Sequence, residues 1–255
     1  MSFIVGDYVT RNSYNNDVVF KITSINGELA FLKGIQVRLW ADALLTDLQK
    51  YQFDEREADD TFFDDLDVRS EYFYLPGKIL HIDADEDYLN RCLKFYKKRH
   101  LKAIGKKLNE EEMPSKVRAL LERYRPDIVI ITGHDAYYSK KGSIKDTNNY
   151  RNTKYFIEAV REARKFEKSH DKLAIIAGAC QSNYEELIKA GANFASSPKR
   201  INIHALDPAI IASILATSEH NKTVDVLDVL SKTKYGSDGM GGLVCNGMMY
   251  VGFPR

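Results

Sequence analysis

The sequence predicts an α/β protein, a parallel sheet with helices on both faces, preceded by a small β-barrel of SH3-like type. Three observations predict it. Residues 3–48 hold short β-branched and aromatic runs with no sustained helical period, and residues 54–67 form a dense acidic run. From residue 78 onward, short apolar runs alternate with stretches of 3.6-residue periodicity. The expected organisation is a barrel over 1–50, an acidic linker over 51–75 and an α/β domain over 76–255.

Each element has its own justification. FIVGDYVTR, DVVFKITSI, ELAFLKG and QVRLWAD read as strands, separated by turn-forming stretches such as NSYNND and NGE. DEREADDTFFDDLD carries eight acidic residues against one Arg and reads as a solvated linker. KILHID is an apolar strand, followed by a helical face of Leu89, Cys92, Leu93 and Tyr96. LKAIG is a second strand. Val117, Leu120, Leu121 and Tyr124 then form another helical face, which Pro126 ends. DIVIITG is a third strand, and Phe156, Ile157, Val160 and Ala163 line a third helix. KLAIIAG is a fourth strand, and SNYEELIKAG a helix closed by Gly191. ANFASSP is a fifth strand. DPAIIASILATSEH is a helix with Asp207 at its N-cap and Pro208 at its first turn.

Composition excludes several functions. The 255 residues hold 37 Lys and Arg against 36 Asp and Glu, with 44% hydrophobic and 29% charged side chains. A net charge of +1 leaves no basic footprint for nucleic acid or an anionic membrane. Cys92, Cys180 and Cys245 are too few for a disulfide framework and suit a reducing compartment. No apolar run is long enough to span a bilayer, and MSFIVGDYVT lacks the basic and apolar regions of a signal peptide. No Cys/His spacing resembles a zinc site, and GSDGMGG is not a phosphate-cradling pattern, so neither metal nor cofactor is expected.

Two strands end in chemically competent residues. DIVIITGHD delivers His134 and KLAIIAGAC delivers Cys180, 46 residues apart, about one strand–helix–strand unit. Neighbouring strands lie about 4.8 Å apart, so parallel strands would bring both residues to one rim of the sheet. Ser182 and Glu185 have capping-box spacing, which predicts a helix starting just after Cys180. The partial positive charge at that helix start would favour thiolate, and a thiolate attacks carbonyl carbon. An average cysteine is a small core hydrophobe, and only the neighbouring histidine tips Cys180 toward function. His134 is the expected general base and His204 the runner-up. His81 is expected to be structural, and Cys92 to sit in the core.

GDYVTRNSYNNDVVFKI, LPGKILHIDADEDYL, RPDIVIITGHDAYYSKKG and IIAGACQSNYEELIKAGANFASSPKRINIHALDP resemble the YabG family of sporulation-specific peptidases over essentially the whole chain. The resemblance implies a cysteine peptidase that processes spore coat and related spore proteins, with Arg preferred before the cut and His134 and Cys180 as its functional residues. It also implies residence in the mother cell and the spore coat. A broader likeness is to the caspase–hemoglobinase clan, in which a His and then a Cys follow successive apolar strands. Here Gly133 precedes the His rather than following it, and GACQS replaces the caspase block. Oxyanion donors are therefore expected from the Cys180 N–H and from Gly133 or Asp135. An Arg pocket needs a carboxylate, and Asp85 and Asp83 rank ahead of Asp207 and Asp146. Two other readings stay open, a small-molecule cysteine amidase and a non-catalytic morphogenetic scaffold.

Overall fold

The structure is a computed structural model that describes residues 2–53 and 73–252. The acidic run at 54–67 lies outside the described residues. The chain divides into two compact units, Met1–Val68 and Arg69–Arg255.

In the first unit, β1 (Tyr8–Arg11), β2 (Phe20–Asn26), β3 (Leu29–Gly34), β4 (Trp40–Leu44) and β5 (Leu48–Lys50) pair antiparallel. Their order among the described residues is β4-β3-β2-β1-β5. Alternation sends Phe20, Ile22, Ala30 and Leu32 inward, where they pack with Val9 and Val37. The strands read from the sequence are present, with later starts. The pairing order describes a five-stranded antiparallel sheet.

The second unit runs β6 (Phe73–Leu75), β7 (Ile79–Asp83), α1 (Glu86–Lys98), β8 (Ala103–Lys107), α2 (Met113–Tyr124) and β9 (Ile128–Thr132). It continues with α3 (Thr153–Phe166), β10 (Ala174–Ala177), α4 (Tyr184–Ala190), β11 (Phe194–Ser196) and α5 (Asp207–Thr217). The last elements are α6 (Val226–Ser231), α7 (Gly236–Gly239), β12 (Met240–Gly242) and β13 (Tyr250–Gly252). The main sheet has the order β12-β11-β10-β9-β7-β8. Strands β7 to β11 are parallel, as the alternation of strand and helix predicts.

The expectation of an all-parallel sheet needs correction. Strand β12 runs antiparallel to β11, and β13 pairs antiparallel with β6 in a separate ribbon. The Gly-rich tail supplies the extra edge strand because its two glycines, Gly241 and Gly242, put no side chain against the neighbouring rings. A Cβ at Gly241 would meet the Tyr184 ring, and one at Gly242 would meet the Phe194 ring.

Both faces of the sheet are covered. Leu80, Ile82, Val129, Ile131, Ile175 and Ala177 alternate onto one face, against Val117, Leu121, Phe156 and Val160 of α2 and α3. On the other face, the Tyr96 hydroxyl of α1 lies 2.9 Å from His81 Nδ1, and Cys92 is fully buried as expected. Helix α5 also packs on β9 and β10. It is apolar nearly all round, and Ala209, Ile210, Ile211, Ala212 and Leu215 are buried. It starts one residue earlier than predicted. Leu206 holds the N-cap position, and Asp207, the first helical residue, accepts the N–H of His204 at 2.9 Å.

Candidate active site

Three adjacent strands deliver the site. Ile131 pairs with Ala177, and His134 and Cys180 each stand three residues further along their parallel strands. Asp83 pairs with Thr132 on the other side, so Asp85 and His134 each stand two residues beyond that pair. Asp85, His134 and Cys180 thus follow the carboxyl ends of three adjacent strands, β7, β9 and β10, at the rim where open parallel sheets place their chemistry.

His134 lies between two carboxylates. Its Nε2 is 3.5 Å from Asp85 Oδ2, and its Nδ1 is 3.6 Å from Glu110 Oε1. The backbone N–H of His134 also donates to Glu110 Oε1 at 2.8 Å. Burial pushes the Glu110 carboxyl upward, but hydrogen bonds and charge from His134, with a bond to its own backbone, outweigh it and leave the pKa below the usual glutamate value. Gly133 makes this approach possible. A Cβ there would stand 2.7 Å from Glu110 Oε1 and 2.9 Å from Ala84 Cβ. Glu110 was not legible in the sequence as a site residue, because it is one of three consecutive glutamates opening the turn before α2.

Asp85 has two tasks. Its Oδ1 accepts the N–H groups of Asp87 and Tyr88 at 2.9 and 3.1 Å, the N-cap of α1, while Oδ2 faces His134. Asp83 is fully buried behind it. One Asp83 oxygen accepts the Asp85 N–H at 3.0 Å, and the other is 3.6 Å from His81 Nε2. Asp207 is also fully buried and accepts the N–H groups of His204 and Lys234. Asp146 is exposed and caps a short turn through the N–H of Asn148. His204 is buried, its Nδ1 accepting the Leu206 N–H at 3.2 Å.

Cys180 has no solvent exposure. Its sulfur accepts the N–H of Ile203 at 3.3 Å, in the segment that follows β11. Around it the chain is pinned residue by residue. Ala179 N–H donates to Ser182 Oγ, and Ala179 O accepts from Ser196 Oγ. Gln181, in the left-handed region at φ 59°, donates its N–H to Ile201 O and Ser197 Oγ. Its side-chain oxygen accepts the N–H of Tyr137 at 3.1 Å.

The predicted capping box is not formed. Asn183 is the N-cap of α4, and its side chain accepts the Glu186 N–H. Ser182 is diverted inward, where it accepts the Ala179 N–H and donates to Asp135 Oδ2 at 2.8 Å. The helix therefore begins four residues after Cys180, one residue later than the capping-box spacing predicts.

Asp135 is 4% exposed, and both its oxygens are in use. Oδ1 accepts the N–H groups of Ala136 and Asn152 at 2.9 and 2.8 Å. Oδ2 accepts the hydroxyls of Ser182 and Thr153. Burial raises the Asp135 pKa, and the bonds from Thr153, Asn152, Ser182 and Ala136 oppose that rise without cancelling it. Among the described residues, no group of three or more His, Cys, Asp or Glu side chains is arranged to hold a metal ion. Nor is any helix of the described residues long and apolar enough to cross a membrane.

Fold and site define a two-unit protein whose larger unit is an α/β domain with a mostly parallel sheet, bearing histidine, cysteine and carboxylates on the carboxyl rim. The chain belongs to the YabG peptidase family (U57), whose sequence model matches residues 4–66 and 52–254. It is 41% identical to the sporulation-specific protease YabG of Bacillus subtilis (strain 168), an alignment that covers 100% of this chain and 99% of that protein.

Proposed function

We propose that this chain is a sporulation cysteine endopeptidase that cleaves spore coat and related spore proteins after Arg. Cys180 is the nucleophile, His134 the general base, and Asp85 the carboxylate that orients His134 and stabilises its charged form. The carrying observation is that Asp85, His134 and Cys180 follow the carboxyl ends of three adjacent parallel strands, with Asp85 Oδ2 3.5 Å from His134 Nε2. For the thiol proton to pass to His134, Nδ1 has to leave Glu110 and reach the sulfur while Nε2 stays at Asp85; the sulfur then attacks the scissile carbonyl carbon, and an oxyanion forms. Cys180 N–H is one donor to that oxyanion, and Gly133 or Asp135 supplies the second. His134 returns the proton to the leaving amine, and water hydrolyses the thioester. Because Cys180 is buried under the segment around Ile203, that segment has to shift for a peptide to reach the sulfur.

Of the four carboxylates considered for Arg recognition, Asp146 fits that role best. Asp85 is committed to α1 and His134, and Asp83 and Asp207 are fully buried. Asp146 is exposed, and Ile144, two residues before it, accepts the Asn183 side chain three residues beyond Cys180.

A second reading, a non-catalytic scaffold, is favoured by one observation, the complete burial of Cys180. Arg-containing polypeptides incubated with the protein and with Cys180→Ala decide between them. The enzyme reading expects cleavage that the folded variant loses. Cleavage kept by Cys180→Ala, or absent from the unmodified protein, overturns it.

A further inference from the structure

The buried carboxylate of Asp135 has no part in the chemistry proposed above, yet it joins the two loops that carry it. It follows His134 directly, and its partner Ser182 lies two residues after Cys180. All four groups that reach it are donors. The N–H groups of Ala136 and Asn152 can only donate. Ser182 Oγ already accepts the Ala179 N–H, and Thr153 Oγ1 already accepts the Asn183 N–H at 3.1 Å, so each hydroxyl hydrogen is free to turn toward Asp135. Through these two hydroxyls one carboxylate fixes backbone on both sides of Cys180, at 179 and at 183. Its other oxygen fixes the loop of His134 through Ala136 and Asn152, and the Asn152 side chain donates to His134 O at 2.8 Å.

The geometry points to Asp135 as a positioning residue, with Ser182 and Thr153 as its two arms, holding the Cys180 loop and the His134 loop in register. This rests on the reading of Cys180 and His134 as nucleophile and base. A hydroxyl that loses its acceptor lets the 179–183 turn relax. Misplacing reacting groups by about 1 Å can cost roughly 10²-fold in rate with little change in substrate binding.

The experiment is a steady-state comparison on an Arg-containing peptide of the full chain with Asp135→Asn, Ser182→Ala, Thr153→Val, Thr153→Ser and Ser182→Ala/Thr153→Val. Asp135→Asn turns an amide N–H₂ or an oxygen toward two hydroxyls and cannot serve all four donors. Thr153→Val keeps shape and removes the hydroxyl, and Thr153→Ser keeps the hydroxyl. Expected are kcat values roughly 10²-fold lower for Thr153→Val and Ser182→Ala, with KM within about 3-fold and kcat restored in Thr153→Ser. The double variant should fall by less than the product of the two single losses, since both arms pull on one carboxylate. If Asp135→Asn does not fold, the Val and Ser pair at position 153 decides alone. Wild-type kcat in folded Thr153→Val and Ser182→Ala, while Cys180→Ala is inactive, overturns the positioning role and leaves the enzyme reading standing. Turnover kept by Cys180→Ala overturns the enzyme reading itself.

Discussion

Asp85 caps α1 with one oxygen and faces His134 with the other, and a single substitution separates the two tasks. Asparagine caps a helix about as well as aspartate, so Asp85→Asn keeps the cap and removes the charge. Alanine removes both. At 3.5 Å, between side chains 14% and 6% exposed, an imidazolium–carboxylate attraction lies between about 1.2 kcal/mol at the dielectric of water and about 5 kcal/mol at an effective dielectric near 20. If His134 carries its positive charge in the transition state, Asp85→Asn lowers kcat by roughly 7-fold to several 10³-fold. Asp85→Ala adds a loss of about 0.5–2 kcal/mol of stability for the missing cap. The assay is kcat and KM on peptides with Arg, Lys or Leu before the cut, with thermal melts of both variants. A carboxylate acting on His134 lowers kcat equally for all three peptides, whereas one that binds the substrate guanidinium penalises Arg above the others. Wild-type kcat on all three peptides in folded Asp85→Asn would refute the orienting role, and a loss confined to Arg would make Asp85 the specificity residue.

Three further outcomes follow from the same geometry. Glu110→Ala removes a charge-assisted acceptor of the His134 N–H, at a cost of about 1.5–3 kcal/mol at neutral pH. Because the Glu110 pKa is depressed, that contribution is full above the ordinary glutamate value of 4.5 and is lost as pH falls through the lower folded value, so melting curves of the two proteins should converge in acid. Gly133→Ala drives a Cβ against Ala84 and Glu110 and should destabilise by about 1–3 kcal/mol in urea titration, with less loss in a Glu110→Ala background. Arg164, whose pKa burial lowers to about 10, donates to carbonyls of Glu167, Ser169, Leu173 and Gly191 and to Asn193. Arg164→Lys keeps the charge without the planar fork, and losing two of those bonds should cost about 2 kcal/mol, a fall of roughly 4–8 °C in Tm.

Local pattern carried most of the architecture. Buried parallel strands need unbroken apolar runs, so KILHID, DIVIITG and KLAIIAG announce themselves, as do the helical faces of α1, α2 and α3 between them. The same runs show that His134 and Cys180 stand at strand ends, because the first polar residues after a buried strand must emerge at its rim. Pattern could not say which strands are neighbours. That order, with β9 between β7 and β10, is decided by how the helices pack, and it brings Asp85 to His134. Glu110 reaches the same ring only because β8 lies beside β7 and Gly133 leaves room. Ser182 had capping spacing with Glu185 but met a stronger claim, a buried carboxylate in need of donors, and Asn183 took the cap instead. The tail GMGGLVCNG holds too little side chain to show a period, and it became strand β12 because an unpaired sheet edge lay within reach of a backbone with no Cβ in the way. The sequence by itself determined the alternation of strand and helix from β7 to α5 and put His134 and Cys180 just past strand ends. Tertiary packing decided what each of those residues faces, since a side chain's partners come from elements distant along the chain.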